Sequence, residues 1–237
     1  MSMATDDGRG VVPVILVGGT WSWRGTADGQ WYHPASPLAL ALHRRGLAPV
    51  VDRRGQPFVW QSSASGWRAW RAWFGGGDTT SWTAAAHALL WFVESGAGRR
   101  LPGVETHVIC HSHGAQVAII AAAIGLRIHT LVDVGGPVRE DVIRQYGAAA
   151  RPRIGYWLSV HDAGRDWWRI LGGVGDGHVG VRRQHPLVTA GGRGAHYAIA
   201  GAGHSRPLTH PDDYAPLWDQ VADLVRSRHG READQAR

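Results

Sequence analysis

The strongest constraint on this chain lies in residues 106–122. A short apolar run, Val108-Ile109-Cys110, stops at His111-Ser112-His113-Gly114 and passes directly into Ala115-Gln116-Val117-Ala118-Ile119-Ile120-Ala121-Ala122. The first run is too short for a helix and is closed off by polar residues, as a buried strand is. The second is a longer alanine- and isoleucine-rich stretch that suits a buried helix. Little chain is left between them for a loop, so the strand must turn into the helix within a few residues. A strand that feeds a helix in this way belongs to a parallel sheet with helices packed on its faces. Ser112 sits on that turn, where a hydroxyl can stand clear of both elements.

The same alternation recurs along the chain. Strands are expected at Val11 to Val17, Phe58 to Trp60, His107 to Cys110, Thr130 to Val134, Ile154 to Val160 and His196 to Ala200. Helices are expected between them. Ser36-Pro37 supplies an N-cap and first-turn proline for a helix through His43, stopped by Gly46. Thr80 or Ser81 opens another through Glu94 to Gly96, Pro137 opens one to Tyr146, and Pro211-Asp212-Asp213 opens the last, to Arg228. The expectation is an α/β fold: a three-layer α/β/α sandwich around a mostly parallel central sheet of about six strands. A chain of 237 residues buries roughly 70% of its unfolded surface, enough for one large core. No repeat or linker divides it, so residues 1–237 are read as a single domain with a polar tail at 230–237.

Thirteen tryptophans against three phenylalanines mark residues 58–82, which hold Trp60, Trp67, Trp70, Trp73, Phe74 and Trp82. Positions 67, 70 and 74 share one face of a helix, which suits docking on the core. The same segment suits a cap over a cleft, where aromatic surface receives apolar ligand groups.

The net charge of +6 rests on 25 basic residues, all arginine, against 19 acidic ones. These arginines occur in pairs at most, as in Arg44-Arg45 and Arg182-Arg183, so the charge is solvated surface and no nucleic-acid partner is expected. The single cysteine, Cys110, excludes an internal disulfide. Val11 to Val17 is too short for a membrane span or a leader, so a cytoplasmic protein with no stable membrane insertion is expected.

A hydroxyl attacks an ester slowly unless a base takes its proton, a third group orients the base, and donors receive the oxyanion. Ser112 is the candidate nucleophile. Val17-Gly18-Gly19-Thr20-Trp21 follows the first strand, and its paired glycines let backbone N–H groups face an anion. The expected donors are the N–H groups of Thr20 or Trp21 together with that of His113. A base on the loop after the last strand falls at Ala200-Gly201-Ala202-Gly203-His204-Ser205, which makes His204 the candidate, with His196 and His210 in reserve. His87 lies in an apolar helix and is expected to be packed. The third group can be Asp166, Asp162 or Asp133, each after a strand, with Asp166 best placed on a short loop. His111 and His113 could also begin a metal site. That needs further ligands close by, and Gly114-Ala115-Gln116 supply none, so neither metal nor cofactor is expected.

Together, Gly18-Gly19-Thr20-Trp21, Phe58-Val59-Trp60-Gln61-Ser62, His111-Ser112-His113-Gly114, Asp166-Trp167-Trp168-Arg169-Ile170-Leu171-Gly172 and Gly203-His204-Ser205 resemble the α/β-hydrolase superfamily. The likeness is to its small bacterial and phage-type serine esterases or lipases, over about Val11 to His210. It departs from the superfamily's glycine-x-serine-x-glycine at Cys110. The resemblance implies a Ser112-Asp166-His204 triad, with Asp166 favoured by the apolar pair and leucine-glycine that follow it. It also implies an acyl-enzyme route and a small-molecule or lipid-like ester, with Trp60, Trp67 and Trp167 in the substrate pocket. An acyltransferase with the same triad, or a non-catalytic ligand-binding protein of the same fold, is the alternative.

Overall fold

The computed structural model describes residues 11–19, 30–60, 79–96, 105–164 and 185–229. Six strands, β1 (Val12–Val17), β2 (Leu47–Pro49), β3 (His107–His111), β4 (Ile128–Val134), β5 (Ile154–Asp162) and β6 (Gly194–Ile199), form one sheet. Their order is β2-β1-β3-β4-β5-β6, and every pairing is parallel. The helices are α1 (Pro37–His43), α2 (Thr79–Trp91), α3 (Gly114–Ile124), α4 (Glu140–Ala150), α5 (Pro186–Thr189), α6 (Arg206–Thr209) and α7 (Ala215–Arg228).

Successive residues of a strand face opposite ways, and here both faces are covered. Ile15, Val17, Val108, Cys110, Leu131 and Trp157 pack with α2, α3 and α4. Leu16, Ile109, Val132, Val134, Leu158 and Val160 pack with Leu38 and Leu42 of α1 and with Trp218, Val221 and Val225 of α7. This gives the three layers. Helix α3 is apolar around its circumference because it is enclosed, with Gly114 through Ala122 all buried. Among the described residues no helix is long and apolar enough to cross a membrane.

Several boundaries differ from the sequence expectation. Phe58 to Trp60 is not a strand; only an isolated antiparallel bridge, Val51 to Pro57, lies next to it. The edge strand is instead Leu47–Pro49, three residues ending in a proline, a position only an edge tolerates. Strand β5 continues two residues past Val160, because His161 and Asp162 pair with Ala198 and Ile199 of β6. Helix α4 starts three residues after Pro137 and runs to Ala150. Helix α2 ends in a wider π turn at Phe92–Gly96. At the C-terminal end, a 3₁₀ turn at Pro211–Tyr214 precedes α7. Ser36 caps α1 as expected, its hydroxyl accepting the Ala39 N–H at 3.1 Å. Trp67, Trp70 and Phe74 lie outside the described residues, and the tail at 230–237 lies outside them too.

Cys110 is fully buried, and its thiol donates to the Val132 carbonyl at 3.5 Å. Burial, reinforced by the nearby Asp133 carboxylate, pushes this thiol well above its usual range. Because the thiolate is the reactive form, a thiol-selective alkylating reagent at neutral pH is expected to leave the native protein unmodified. It should add one equivalent in guanidinium. Rapid native labelling would show that the β3–β4 interior is open to solvent.

Candidate active site

The sheet order reverses direction at β1 and β3: from β1 the chain builds outward to β2 on one side, and from β3 to β6 on the other. A crevice opens at such a point outside the carboxyl ends of the strands, and ligands bind there in open α/β sheets. The glycine pair after β1 and Ser112 after β3 both leave the sheet at this position, where Val17 is in register with Cys110.

Ser112 adopts φ 52°, the one positive φ among the described non-glycine residues. The left-handed conformation costs about 1–2 kcal/mol for a residue with a Cβ, so the surrounding structure must impose it. The Ser112 N–H donates to Val134 O at the end of β4 (3.1 Å), and its carbonyl accepts the Ala115 N–H (3.1 Å) as α3 begins. Ser112 is only half-buried while His111 and His113 on either side are buried, so the turn lifts its side chain out of the core.

Two glycines let the pieces meet. A Cβ on Gly114 would stand 2.6 Å from Val17 O and 2.8 Å from Gly18 O. A Cβ on Gly19 would stand 2.8 Å from the Ser112 Cβ and 2.9 Å from His111 O. The β1 loop therefore crosses against the Ser112 turn with bare backbone. Trp60, buried at the edge of this loop, donates its indole N–H to Gly18 O at 2.7 Å and holds the loop in place. Cys110, by contrast, points into the core, so the absence of glycine there costs the turn nothing.

His204 reaches the same end of the sheet from the loop after β6, through Gly201 (φ 68°) and Gly203 (φ 57°). Its ring lies over Gly135, the residue after β4, where a Cβ would fall 3.2 Å from the imidazole Nδ1. Gly135 directly follows Val134, whose carbonyl holds the Ser112 N–H, so the imidazole and the serine turn share one strand end. The His111 ring lies 4.6 Å from the His204 ring, centroid to centroid. His111 Nε2 donates to His204 O (3.1 Å) and lies 3.2 Å from the Ser205 hydroxyl.

Asp162, the last residue of β5, is buried beside this loop. Its Oδ2 accepts the Gly203 N–H and its Oδ1 the Gly164 N–H, each at 2.5 Å. One carboxylate thus fixes its own turn and the residue just before His204. Asp133 is occupied differently: Oδ1 accepts the Gly136 N–H (2.9 Å) in the turn after β4, and Oδ2 accepts the hydroxyl of Ser159 (3.3 Å), its neighbour on β5.

The remaining sequence candidates fall as follows. Asp166, Thr20, Trp21, Trp67 and Trp167 lie outside the described residues. His113 opens α3, and its ring stacks on Trp82 at 5.1 Å, with the Arg139 guanidinium 5.2 Å from the indole. His111 and His113 thus turn to different partners. His196 lies within β6 with its ring edge-on to His161, and His210 is exposed with Nδ1 on the Thr209 hydroxyl. His87 is on the exposed face of α2 and is not packed, because Trp82, Ala85, Ala86 and Leu89 take the inward positions. Sequence reasoning missed Gly135, which makes room for the His204 ring. The Gly135-Gly136 pair after an apolar run was its visible signal.

No family model matches the chain, and no curated protein sequence matches it. Solved structures do. A protein from Thermoplasma acidophilum described as a predicted CIB-like hydrolase aligns at 14% identity and TM-score 0.53, over 94% of this chain and 89% of its own. One of two fungal esterases from Rhizomucor miehei aligns at 11% identity and TM-score 0.54, over 93% and 75%. Zea mays acyl-protein thioesterase 2 aligns at 14% identity and TM-score 0.52, over 92% and 96%. With its six-stranded parallel sheet, flanking helices and serine turn at the β1/β3 reversal, the chain has the α/β-hydrolase fold.

Proposed function

We propose that the protein is a serine hydrolase that cleaves a carboxylic ester or thioester through an acyl-enzyme intermediate. The observation that carries this reading is Ser112, held in a left-handed conformation on the strand-to-helix turn with the His204 ring over the adjoining strand end. Such strain persists where the surrounding structure imposes it, and it clusters at sites that use it. The fold likeness to esterases and to an acyl-protein thioesterase supports the substrate class.

In this mechanism His204 takes the proton as Ser112 Oγ attacks the acyl carbon, and the bond to the leaving alcohol or thiol breaks as His204 returns the proton to it. Water then releases the acid by the same steps. The tetrahedral oxyanion lies at the start of α3, where the first N–H groups lack acceptors within the helix and the helix dipole favours negative charge. The His113 N–H serves there with a donor from the Gly19 to Trp21 loop. A donor of this kind is worth roughly 3 kcal/mol in the transition state. For the third group we favour Asp162 over Asp166. It stands at the carboxyl end of β5 and already holds the Gly203 N–H, one residue from the base.

A fluorophosphonate probe is expected to label Ser112 and no longer label Ser112→Ala, while both Ser112→Ala and His204→Ala lose on the order of 10⁴-fold or more in kcat on short-chain esters. A folded wild-type protein that neither labels nor turns over any ester or thioester of a graded acyl-length series would overturn the proposal. Ser112→Gly should be as inactive as Ser112→Ala yet more stable by about 1 kcal/mol in denaturant melts, because glycine removes the Cβ that strains the turn.

The carboxylate assignment has its own test. Asp162→Asn should cost on the order of 10⁴-fold in kcat with little change in KM, and Asp166→Asn should cost little. The reverse result would move the role to Asp166. Gly19→Ala should lower kcat by about 100-fold, the loss expected when one oxyanion donor is displaced, because its methyl group would collide with Ser112 Cβ and His111 O. An unchanged kcat would remove the β1 loop from the mechanism.

A further inference from the structure

The end of β3 away from Ser112 carries a second group of side chains that the proposed hydrolysis does not use. Glu105 and His107 stand at the start of the strand, and both are buried. His229 caps the C-terminus of α7, its N–H bonded to Val225 O at 3.0 Å. Three atoms from these residues converge. His107 Nε2 lies 3.3 Å from His229 Nδ1. His229 Nδ1 lies 3.5 Å from Glu105 Oε2, and His107 Nε2 lies 3.9 Å from the same oxygen.

From this triangle we infer that Glu105, His107 and His229 form a binding site for a single divalent transition-metal ion of the zinc type. Ligand atoms about 2.0–2.1 Å from a tetrahedral zinc ion stand about 3.3–3.5 Å from one another, and two of the three edges already have that length. Two imidazoles and a carboxylate are the donor set such an ion takes, and water completes the fourth position. Among the described residues this is the one group of three histidine, cysteine or acidic side chains with ligand atoms close enough to share an ion.

Hydrogen bonding can pair these three atoms only two at a time. A neutral His229 carries at most one proton on Nδ1, and that proton can be given to His107 or to Glu105 but not fully to both. A cation at the centre of the triangle satisfies all three atoms together. Its position also favours positive charge, since the carbonyls at the C-terminus of α7 present the negative end of the helix dipole.

The site stands apart from the Ser112 turn. It lies four residues along β3 from His111, about 13 Å at the usual rise per residue, and it ties the last turn of α7 to the first residue of β3. The ligands span 125 positions of sequence, so no local motif announces them. Metal binding of this kind stabilises the folded chain, because the unfolded chain holds no formed site.

The test is a calorimetric titration of tag-free, chelator-treated protein with Zn²⁺, beside cobalt(II) absorption. One ion per chain is expected, with the strong visible bands of four-coordinate cobalt and a melting temperature that rises with free zinc. Glu105→Gln and His229→Ala should each weaken zinc by more than about 10–100-fold, since loss of a supporting partner alone costs that much. The exposed His210→Ala should bind as wild type does. His229 is partly exposed at a helix end, so its variant keeps the fold even if His107 proves intolerant of change. Zinc affinity in the two folded ligand variants equal to wild type, or no stoichiometric binding by wild type, would overturn the site.

Discussion

The approach of α3 to the β1 loop at Gly114 sets the position of everything else at the carboxyl end of this sheet. Two backbone carbonyls, Val17 and Gly18, occupy the space that any Cβ at residue 114 would need. Backbone cannot rotate aside as a long side chain can, so the helix starts there only because residue 114 is glycine. Once it does, the loop after β1 runs against Ser112, and Trp60 secures it through Gly18 O. The strain at Ser112 is imposed by this crowding and by hydrogen bonds on both sides of the residue. The bond to Val134 O ties the turn to β4, and the bond from Ala115 ties it to α3. A neutral hydrogen bond contributes about 1 kcal/mol, so two of them are of the same size as the penalty they hold in place.

The register of the parallel sheet converts that local contact into a site. Pairing of β1 with β3, β3 with β4 and β4 with β5 is continuous, and the carboxyl ends of all of them face one crevice. Ser112, Gly135 and Asp162 follow or end three neighbouring strands, and β6 returns His204 over the second of them. Each residue is delivered by the strand that precedes it and is confined by a glycine where space is short.

The strand-turn-helix around Ser112 could be read from the sequence because its apolar pattern changes period abruptly. The late loop carrying His204 could be read from its glycines. The edge of the sheet could not: Leu47-Ala48-Pro49 is too short to show alternation, while Phe58-Val59-Trp60 looks like a strand because its aromatic residues are buried for another purpose. The end of β5 was hidden for a physical reason that is general to such sites. His161 and Asp162 are polar, and polar residues after an apolar run read as the start of a loop. Here the backbone stays in the sheet while the Asp162 side chain serves the neighbouring loop. That two-residue extension moves the favoured carboxylate from Asp166 to Asp162.

Strand β3 begins and ends in histidine, and both rings are buried against other imidazoles: His107 beside His129 and His229, His111 beside His204. Burial, with His229 and His129 adding to it, pushes the His107 imidazole down to about 3, so that ring is neutral across ordinary pH. A neutral imidazole is donor at one nitrogen and lone pair at the other, and the Nε2 of His107 faces His229 Nδ1. At the carboxyl end His111 Nε2 holds the His204 carbonyl directly. The residue before the serine thereby anchors the loop that carries the candidate base. One strand and one hydrogen bond thus connect Ser112 to the loop of His204, a shorter path than the one through β4, β5 and β6.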